Sequence, residues 1–291
     1  MHDIFYFTDV HGQLDLFQTM RDWCLKQDPE CCIIYGGDAC DRGDFGYDIM
    51  EAILDDPQMI YIRGNHEDLF LKAALEIIGN HPEIANKSLS IQEAEDIIDE
   101  CSWGHFVRLH LHNGGRPTLK GWMLDGTSLE FLHNLAARTC LTVDADFGLK
   151  FSHSCPKRET WVRVNNAEYN GDEPNPIDEE EVIWSREDFG SWWNKGEVII
   201  FGHTPTCYMS DWVWELPRMR ENEMKPVAYR SKRDSDDHGW HIDMDTGMTW
   251  TGRGYVLNCL TMQVTGFYDP KVMNPNDNRP VEQEVENFQI I

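Results

Sequence analysis

The stretch IYIRGNHEDLF, residues 60–70, changes character abruptly in its middle. Residues 60–62 are apolar and have the β-branched and aromatic side chains that favour a strand. They are followed at once by RGNHE at 63–67, which places a glycine, an amide, an imidazole and a carboxylate in a row. A plain turn would explain the glycine and the asparagine, since both are common turn residues. A functional site is the alternative, and it requires other strands of the chain to end in the same way.

Short apolar runs recur along the chain, and helical patterns separate them. The runs lie at 4–7, 32–35, 59–62 and 198–201, with a weaker one at 149–152. Their continuous apolar character is typical of strands that are covered on both faces. Amphipathic patterns that predict helices lie at 14–27, 44–54 and 67–78. Strands that alternate with helices predict an α/β fold.

Each predicted strand is followed by polar side chains that can bind a metal ion. In chain order these are Asp9 and His11, Asp38 and Asp41, Asn65 and His66, His153, and His203. A lone histidine beside a glycine is usually a hydrogen-bonded loop residue. Five strand ends of the same kind are harder to attribute to chance, and in open α/β sheets this edge is where ligands bind.

The residue types at the strand ends favour one kind of metal chemistry. Carboxylate, imidazole and amide donors without thiolate suit Mn²⁺, Fe or Zn²⁺. A pair of divalent ions needs a bridging carboxylate with further ligands on each side, and Asp38 is central in the chain order. The sequence therefore predicts a dinuclear site, with Mn²⁺ as the first choice of metal and Fe or Zn²⁺ as alternatives.

Composition excludes several other classes of function. The chain has 25 Lys and Arg against 51 Asp and Glu, a net charge of −26, which disfavours binding to nucleic acids and to anionic membranes. Uncharged apolar runs stay shorter than the roughly 18 residues of a membrane span, and the N-terminus lacks the basic region of a signal peptide. Nine cysteines without a CxxC pair predict a reduced, cytoplasmic protein.

The segments between the predicted strands suggest one domain, residues 1–269, with additions. A mainly helical insertion is predicted at about 80–147, and Ser90 with Glu93 forms a capping-box pattern within it. The polar, proline-containing segment 154–181 is interpreted as a long loop. Segment 208–240 is interpreted as a second excursion with a hairpin as one option, and residues 270–291 as a loosely structured C-terminal tail.

The ordered motifs resemble those of a known family. They are DVHG at 9–12, GGDACDRG at 36–43, RGNHE at 63–67, the lone His153, and FGHTP at 201–205. This set resembles the calcineurin-like metallophosphoesterases, and the GDxxDRG and GNHE forms resemble the phosphoprotein phosphatase branch. That branch includes bacterial and phage-type Ser/Thr protein phosphatases and symmetrical diadenosine tetraphosphatases. Pro205 stands where phosphodiesterase-type relatives carry a second histidine, which agrees with the phosphatase branch.

The resemblance implies an α/β sandwich of two mixed β-sheets flanked by helices, and it implies a set of metal ligands. Metal one would be held by Asp9, His11 and Asp38. Metal two would be held by Asp38, Asn65, His153 and His203. A water that bridges the two ions would then attack the phosphorus.

The same resemblance implies four catalytic residues. His66 would be the general acid, with Asp41 to orient it, and Arg42 and Arg186 would bind phosphate oxygens. Two simpler interpretations stay open. For Asp41, the alternative is that it caps a helix that begins near Arg42. For Arg186, the alternative is that it pairs with the acidic residues at 187 and 188.

The function implied is hydrolysis of a phosphomonoester, on a phosphorylated protein or a small phosphoester. A Ser/Thr protein phosphatase is the first interpretation, a symmetrical dinucleoside tetraphosphate hydrolase the second, and a non-catalytic metal-binding module the third. The aromatic residues of the two excursions either form substrate walls or cover a sheet; they are Trp161, Tyr169, Trp212 and Trp214. Seven histidines without a strand-end context are interpreted as surface or packing residues; they are His2, His81, His105, His110, His112, His133 and His238. The role of His241 is left open.

Overall fold

The computed structural model describes the chain except for residues 187, 192, 212, 214, 215, 217, 221, 222 and 231–237 and the side chains of 284–287. The described strands are β1 Ile4–Phe7, β2 Cys32–Tyr35, β3 Met59–Tyr61, β4 Thr142–Asp144, β5 Leu149–Ser152, β6 Val198–Phe201, β7 Val227–Arg230, β8 Trp240–Asp243, β9 Arg253–Asn258, β10 Gln263–Tyr268 and β11 Glu282–Gln289. The described helices are α1 Leu14–Gln27, α2 Gly46–Asp55, α3 Asn65–Asn80, α4 Ile91–Cys101, α5 His105–His112, α6 Arg116–Leu124, α7 Leu129–Arg138, α8 Arg158–Asn170, α9 Pro176–Trp184, α10 Thr206–Met209, α11 Met248–Thr251 and α12 Pro270–Met273.

The strands form two mixed sheets. The first has the order β11-β10-β9-β1-β2-β3, in which β1, β2 and β3 are parallel and the other neighbours antiparallel. The second has the order β4-β5-β6-β8-β7, in which β5, β6 and β8 are parallel and the two edge strands antiparallel. The predicted α/β sandwich of two mixed sheets with flanking helices is confirmed.

The core lies between the two sheets and under the helices that cover them. Tyr6 and Ile34 of the first sheet belong to one apolar cluster with Phe151, Ile200 and Ile242 of the second. A larger cluster lies outside this layer, under the helices of the N-terminal half, and a smaller one lies around Trp161 and Trp193. The parallel strands are therefore apolar on both faces, as their continuous runs predict.

The helical insertion comprises α4 to α7 and packs on α2 and α3. Ser90 caps α4, and its side chain accepts a hydrogen bond from the Glu93 amide at 3.3 Å, which confirms the capping box. The insertion ends earlier than 147, since Thr142–Asp144 pairs with β5 of the second sheet.

Two segments predicted to be irregular are regular instead. The loop predicted for 154–181 is wrong, because α8 and most of α9 occupy it. Pro176 opens α9 in the first turn, where proline is well tolerated, and the Asn175 side chain caps that helix. The loose tail predicted for 270–291 is also wrong, because β11 pairs antiparallel with β10 and forms the edge of the first sheet.

The hairpin option for 208–240 has partial support. Val227–Arg230 pairs antiparallel with Trp240–Asp243. Trp212 and Trp214 of this excursion lie outside the described residues. Within the described part of the chain, every helix is too short or too polar to cross a membrane.

Candidate active site

The carboxyl ends of strands from both sheets meet at one edge of the sandwich. The loop after β1 is bonded to the loop after β2, since the Asp9 amide donates to the Gly37 carbonyl and the His11 amide to the Asp38 carbonyl, both at 3.0 Å. The loops of the second sheet join them through the His203 amide, which lies 3.2 Å from Oδ2 of Asp9. The strand ends of the two sheets therefore form a single site.

Much of this site is built from strained backbone. Six non-glycine residues have positive φ; they are Asp9 (58°), His11 (43°), Asp38 (57°), Asp41 (70°), Arg42 (66°) and His203 (70°). Such conformations cost of order 1–3 kcal/mol each and persist only where surrounding contacts impose them. Gly64 is required for a different reason, because a Cβ there would lie 2.2 Å from Oδ1 of Asp38.

Asp38 is shared by two groups of potential metal ligands. One group is His11, Asp38 and His66, and the other is Asp38, His153 and His203, with the donor atoms of each within 4.8 Å of one another. Nε2 of His153 lies 3.3 Å from Oδ1 of Asp38, and Nε2 of His11 lies 3.6 Å from Oδ2. The two carboxylate oxygens thus face different groups, which is the arrangement that a bridging ligand requires.

The other two predicted ligands lie beside these groups. Oδ1 of Asn65 is 3.0 Å from Nε2 of His153 and 2.8 Å from Nδ1 of His203. The Asp9 carboxylate accepts a hydrogen bond from the Thr8 hydroxyl at 2.7 Å. Asp9 is outside both groups formed by the described residues, although its charge acts on His153 and Asp38.

The electrostatics of the site favour a cation. Burial, reinforced by the neighbouring Asp245, holds the pKa of Asp9 well above its usual range. Burial lowers the pKa of His153, but the Asp38 carboxylate outweighs it and raises this pKa to about 10. The negative field that draws a proton to His153 also draws a divalent ion. With imidazole, carboxylate and amide donors, the residues fit a pair of Mn²⁺, Fe or Zn²⁺ ions.

His66 and Asp41 form a buried pair beside the two groups. Nδ1 of His66 lies 2.7 Å from Oδ2 of Asp41, while Nε2 lies 3.8 Å from Oδ2 of Asp38. Burial lowers the pKa of His66, but Asp38 and Asp41 raise it above its usual value. Because the carboxylate holds Nδ1, Nε2 is the nitrogen that faces the site; it accepts from Arg42 here and can donate a proton when the ring is protonated. Helix α2 begins at Gly46, so Asp41 does not cap it.

Two arginines contact histidines of the site. Arg42 donates from Nη1 to Nε2 of His11 at 2.8 Å and from Nη2 to Nε2 of His66 at 3.1 Å. Arg186 donates from Nε to Nε2 of His203 at 3.1 Å. Asp188, one of the two surface partners considered for Arg186, contacts Lys157 at 3.5 Å, and the other, residue 187, lies outside the described residues. Both guanidinium groups therefore contact histidines of the two ligand groups.

Glu67 has a role that the sequence pattern does not reveal. Its carboxylate accepts hydrogen bonds from the amides of Asp38 (2.9 Å), Ala39 (2.7 Å) and Gly64 (2.8 Å) and from the Tyr61 hydroxyl (2.9 Å). Its position in the first turn of α3 would by itself favour a glutamate, because the positive end of the helix dipole lies there. In the structure, Glu67 also fixes the loops after β2 and β3 to each other.

We expect Glu67→Gln to lower the free energy of unfolding by about 3 kcal/mol or more, because hydrogen bonds to a charged acceptor contribute roughly 1.5–3 kcal/mol each. The amide NH₂ would face a buried donor and leave at least one backbone N–H without an acceptor. Urea unfolding followed by circular dichroism measures the change. Glu130→Gln on the exposed face of α7 is the control, with an expected change within about 0.5 kcal/mol. Equal effects of the two substitutions would contradict the cross-linking role of Glu67.

The remaining aromatic and histidine candidates are outside the two ligand groups. Trp161 is 2% exposed, donates from Nε1 to the Phe151 carbonyl and covers the second sheet, whereas Tyr169 is 89% exposed. His241 is fully buried and stacked on Tyr229, and burial lowers its pKa to about 3. His110 was interpreted as a surface or packing residue, but it contacts Asp41 through Nε2 at 2.8 Å.

Comparisons with known proteins identify the family and little beyond it. A metallophosphoesterase from Sphaerobacter thermophilus is 13% identical, with 91% of this chain and 86% of that chain covered and a TM-score of 0.44. A cold-active protein-tyrosine phosphatase of a psychrophilic Shewanella is 14% identical (91% and 77% covered, TM-score 0.46). A protein serine/threonine phosphatase from Saccharomyces cerevisiae is 12% identical (100% and 80% covered, TM-score 0.43). No curated protein matches the chain. Residues 2–207 match the family model described as calcineurin-like phosphoesterase, and the chain belongs to that family.

Proposed function

We propose that the protein is a dimetal-dependent phosphomonoesterase that acts on phosphoserine and phosphothreonine in proteins. The observation that carries the proposal is the His66–Asp41 pair, which lies beside the two ligand groups that share Asp38. Phosphoester hydrolysis at a dinuclear metal centre is the chemistry of the family. Metal ligation by Asp9, His11, Asp38, Asn65, His153 and His203 is part of the proposal.

Each group would have a separate task in the reaction. A bound pair of divalent cations, with Mn²⁺ as the first choice, would polarise the phosphoryl group and lower the pKa of a water. Arg42 and Arg186 would hold the other phosphate oxygens, since a guanidinium matches two oxygens at once. His66 would protonate the leaving oxygen from Nε2 while its Nδ1–H stays on Asp41.

The general acid is the reason to prefer a serine or threonine ester. The alkoxide of serine or threonine is a poor leaving group, so its departure depends on proton transfer in the transition state. In a dinucleoside tetraphosphate the leaving group is itself a phosphate, which leaves more readily without a proton. A buried histidine oriented by Asp41 therefore supports the alkyl ester over the anhydride.

The exposure of the site agrees with a protein substrate. The state of the cysteines agrees with a location inside the cell. Arg42 and Arg186 are exposed, whereas the groups between them are buried, so the site opens at the surface. A phosphorylated side chain on a protein surface can reach such a site. All nine cysteines are free thiols, which supports a reducing compartment such as the cytoplasm.

A substrate panel tests the proposal. With Mn²⁺ added, we expect the purified chain to hydrolyse a phosphoserine or phosphothreonine peptide with a kcat/KM at least about tenfold above that for diadenosine tetraphosphate, a difference of about 1.4 kcal/mol in transition-state binding. The metal-free protein, prepared with a chelator, is the control and should be inactive. The reverse preference would establish the dinucleotide hydrolase, and no turnover of any substrate with Mn²⁺, Fe or Zn²⁺ would favour a non-catalytic binding module.

A further inference from the structure

The helical insertion contributes a second histidine to the acid–base pair. His110 lies on α5, 69 residues from Asp41 in the chain, and is fully buried. Its Nε2 is 2.8 Å from Oδ1 of Asp41, while Nδ1 of His66 is 2.7 Å from Oδ2. The Asp41 carboxylate thus lies between two imidazoles, one beside the metal ligands and one behind them.

A threonine of the insertion completes the set around Asp41. Oγ1 of Thr118 accepts a hydrogen bond from the Asp41 amide at 3.0 Å and donates its own proton to Oδ1 at 2.8 Å. An ionised carboxylate only accepts, so Nε2 of His110 must carry a proton. Burial alone would raise the pKa of Asp41, but the charges and hydrogen bonds of His110 and His66 hold it well below its usual range. Oδ1 is therefore occupied by two donors, and Oδ2 is left to His66.

The position of His110 is itself fixed by the surrounding helices. The Glu76 side chain of α3 accepts hydrogen bonds from the amides of His105, Phe106 and Val107 and so caps the start of α5. A Cβ on Gly115 would lie 2.3 Å from Cε1 of the His110 ring, so only a glycine allows the chain to pass there. The helix that carries His66 thereby also anchors the helix that carries His110.

We infer that His110 is a positioning residue for the general acid. By holding Oδ1 together with Thr118, His110 stops the Asp41 carboxylate from rotating, and Oδ2 then keeps the His66 ring aimed at the leaving oxygen. The inference rests on the proposed function, because it assumes that His66 donates a proton to the leaving group. It assigns the helical insertion a part in the chemistry in addition to its part in packing.

The experiment compares leaving groups in two variants of His110. His110→Phe keeps a ring but removes the donor, and His110→Gln can place an amide N–H near the position of Nε2. We expect His110→Phe to lower kcat for a phosphoserine peptide by about tenfold to a hundredfold, part of the 10²–10⁴ that a general acid contributes. For 2,4-dinitrophenyl phosphate, whose leaving group needs no proton, the loss should be at least about tenfold smaller. KM should change little, and His110→Gln should recover most of the loss.

Controls separate this inference from the proposed function. Metal content and circular dichroism of each variant show whether the site and the fold are intact. An equal loss on both substrates would overturn the positioning role, because a general distortion affects both. If His110→Phe does not fold, His110→Asn replaces it, since its shorter amide does not reach Asp41 and the comparison with His110→Gln is the same. If His66→Asn itself shows no dependence on the leaving group, the general acid of the proposed function is wrong, which is a different result from failure at His110 alone.

Discussion

Replacing Asp38 with Asn is expected to remove metal from both halves of the site at once. Oδ1 of Asp38 lies 3.3 Å from Nε2 of His153, and Oδ2 lies 3.6 Å from Nε2 of His11. An amide keeps the size of the side chain but loses the charge and presents NH₂ to one of the two groups. Metal per chain, measured by inductively coupled plasma mass spectrometry, should fall from about two toward zero. Because bound cations supply several kcal/mol, kcat should fall about a thousandfold or more.

A matched substitution shows whether the effect is specific. Asp56 is also buried, but it contacts Arg21 at 2.6 Å and takes no part in either ligand group. Asp56→Asn should cost some stability and keep the metal. If Asp38→Asn retained two ions and full activity, the bridging role would be wrong.

The strand-end side chains could be predicted because each one follows a local signal. A short apolar run followed by glycine, aspartate or histidine is visible within about ten residues of sequence, and the edge of an α/β sheet collects such ends. That is why the strand-end residues predicted from the sequence lie together in the structure, although Asp9, predicted as a ligand, is outside both groups and His66, predicted as the general acid, is inside one. The backbone strain at the same positions has no such signal, since it arises only when two loops bond to each other.

The supporting contacts could not be predicted because they join distant parts of the chain. His110 follows no strand, and in the sequence it is one more histidine on an amphipathic helix. Its contact with Asp41 depends on how α5 packs against α3, which periodicity does not determine. The sequence around Glu67 shows only a glutamate at the start of a helix, while its contacts with Asp38 and Ala39 cross 29 and 28 residues. Local patterns thus point to the side chains at the strand ends, whereas the residues that hold those side chains in place depend on tertiary packing.

The two wrong segment predictions have a related cause. Prolines were interpreted as breaks in 154–181, yet Pro176 occupies the first turn of a helix, where the missing N–H has no partner to lose. The final segment has little apolar periodicity because β11 is an edge strand with one neighbour. In both segments a polar composition is compatible with a regular backbone.

His66→Asn is expected to separate proton transfer from metal binding. Nδ1 of His66 is held by Asp41 at 2.7 Å, and Nε2 is the nitrogen that faces the site. We expect kcat for a phosphoserine peptide to fall by about 10²–10⁴, the usual contribution of a general acid, with a much smaller loss for 2,4-dinitrophenyl phosphate. Metal content should stay near that of the unchanged protein, although the geometry also groups His66 with His11 and Asp38. The same substitution at His153, which lies in the other ligand group, is the matched comparison and should lose metal. If His66→Asn lost as much metal as His153→Asn, His66 would be a metal ligand. The proposed role of His66 as proton donor to the leaving oxygen would then be wrong.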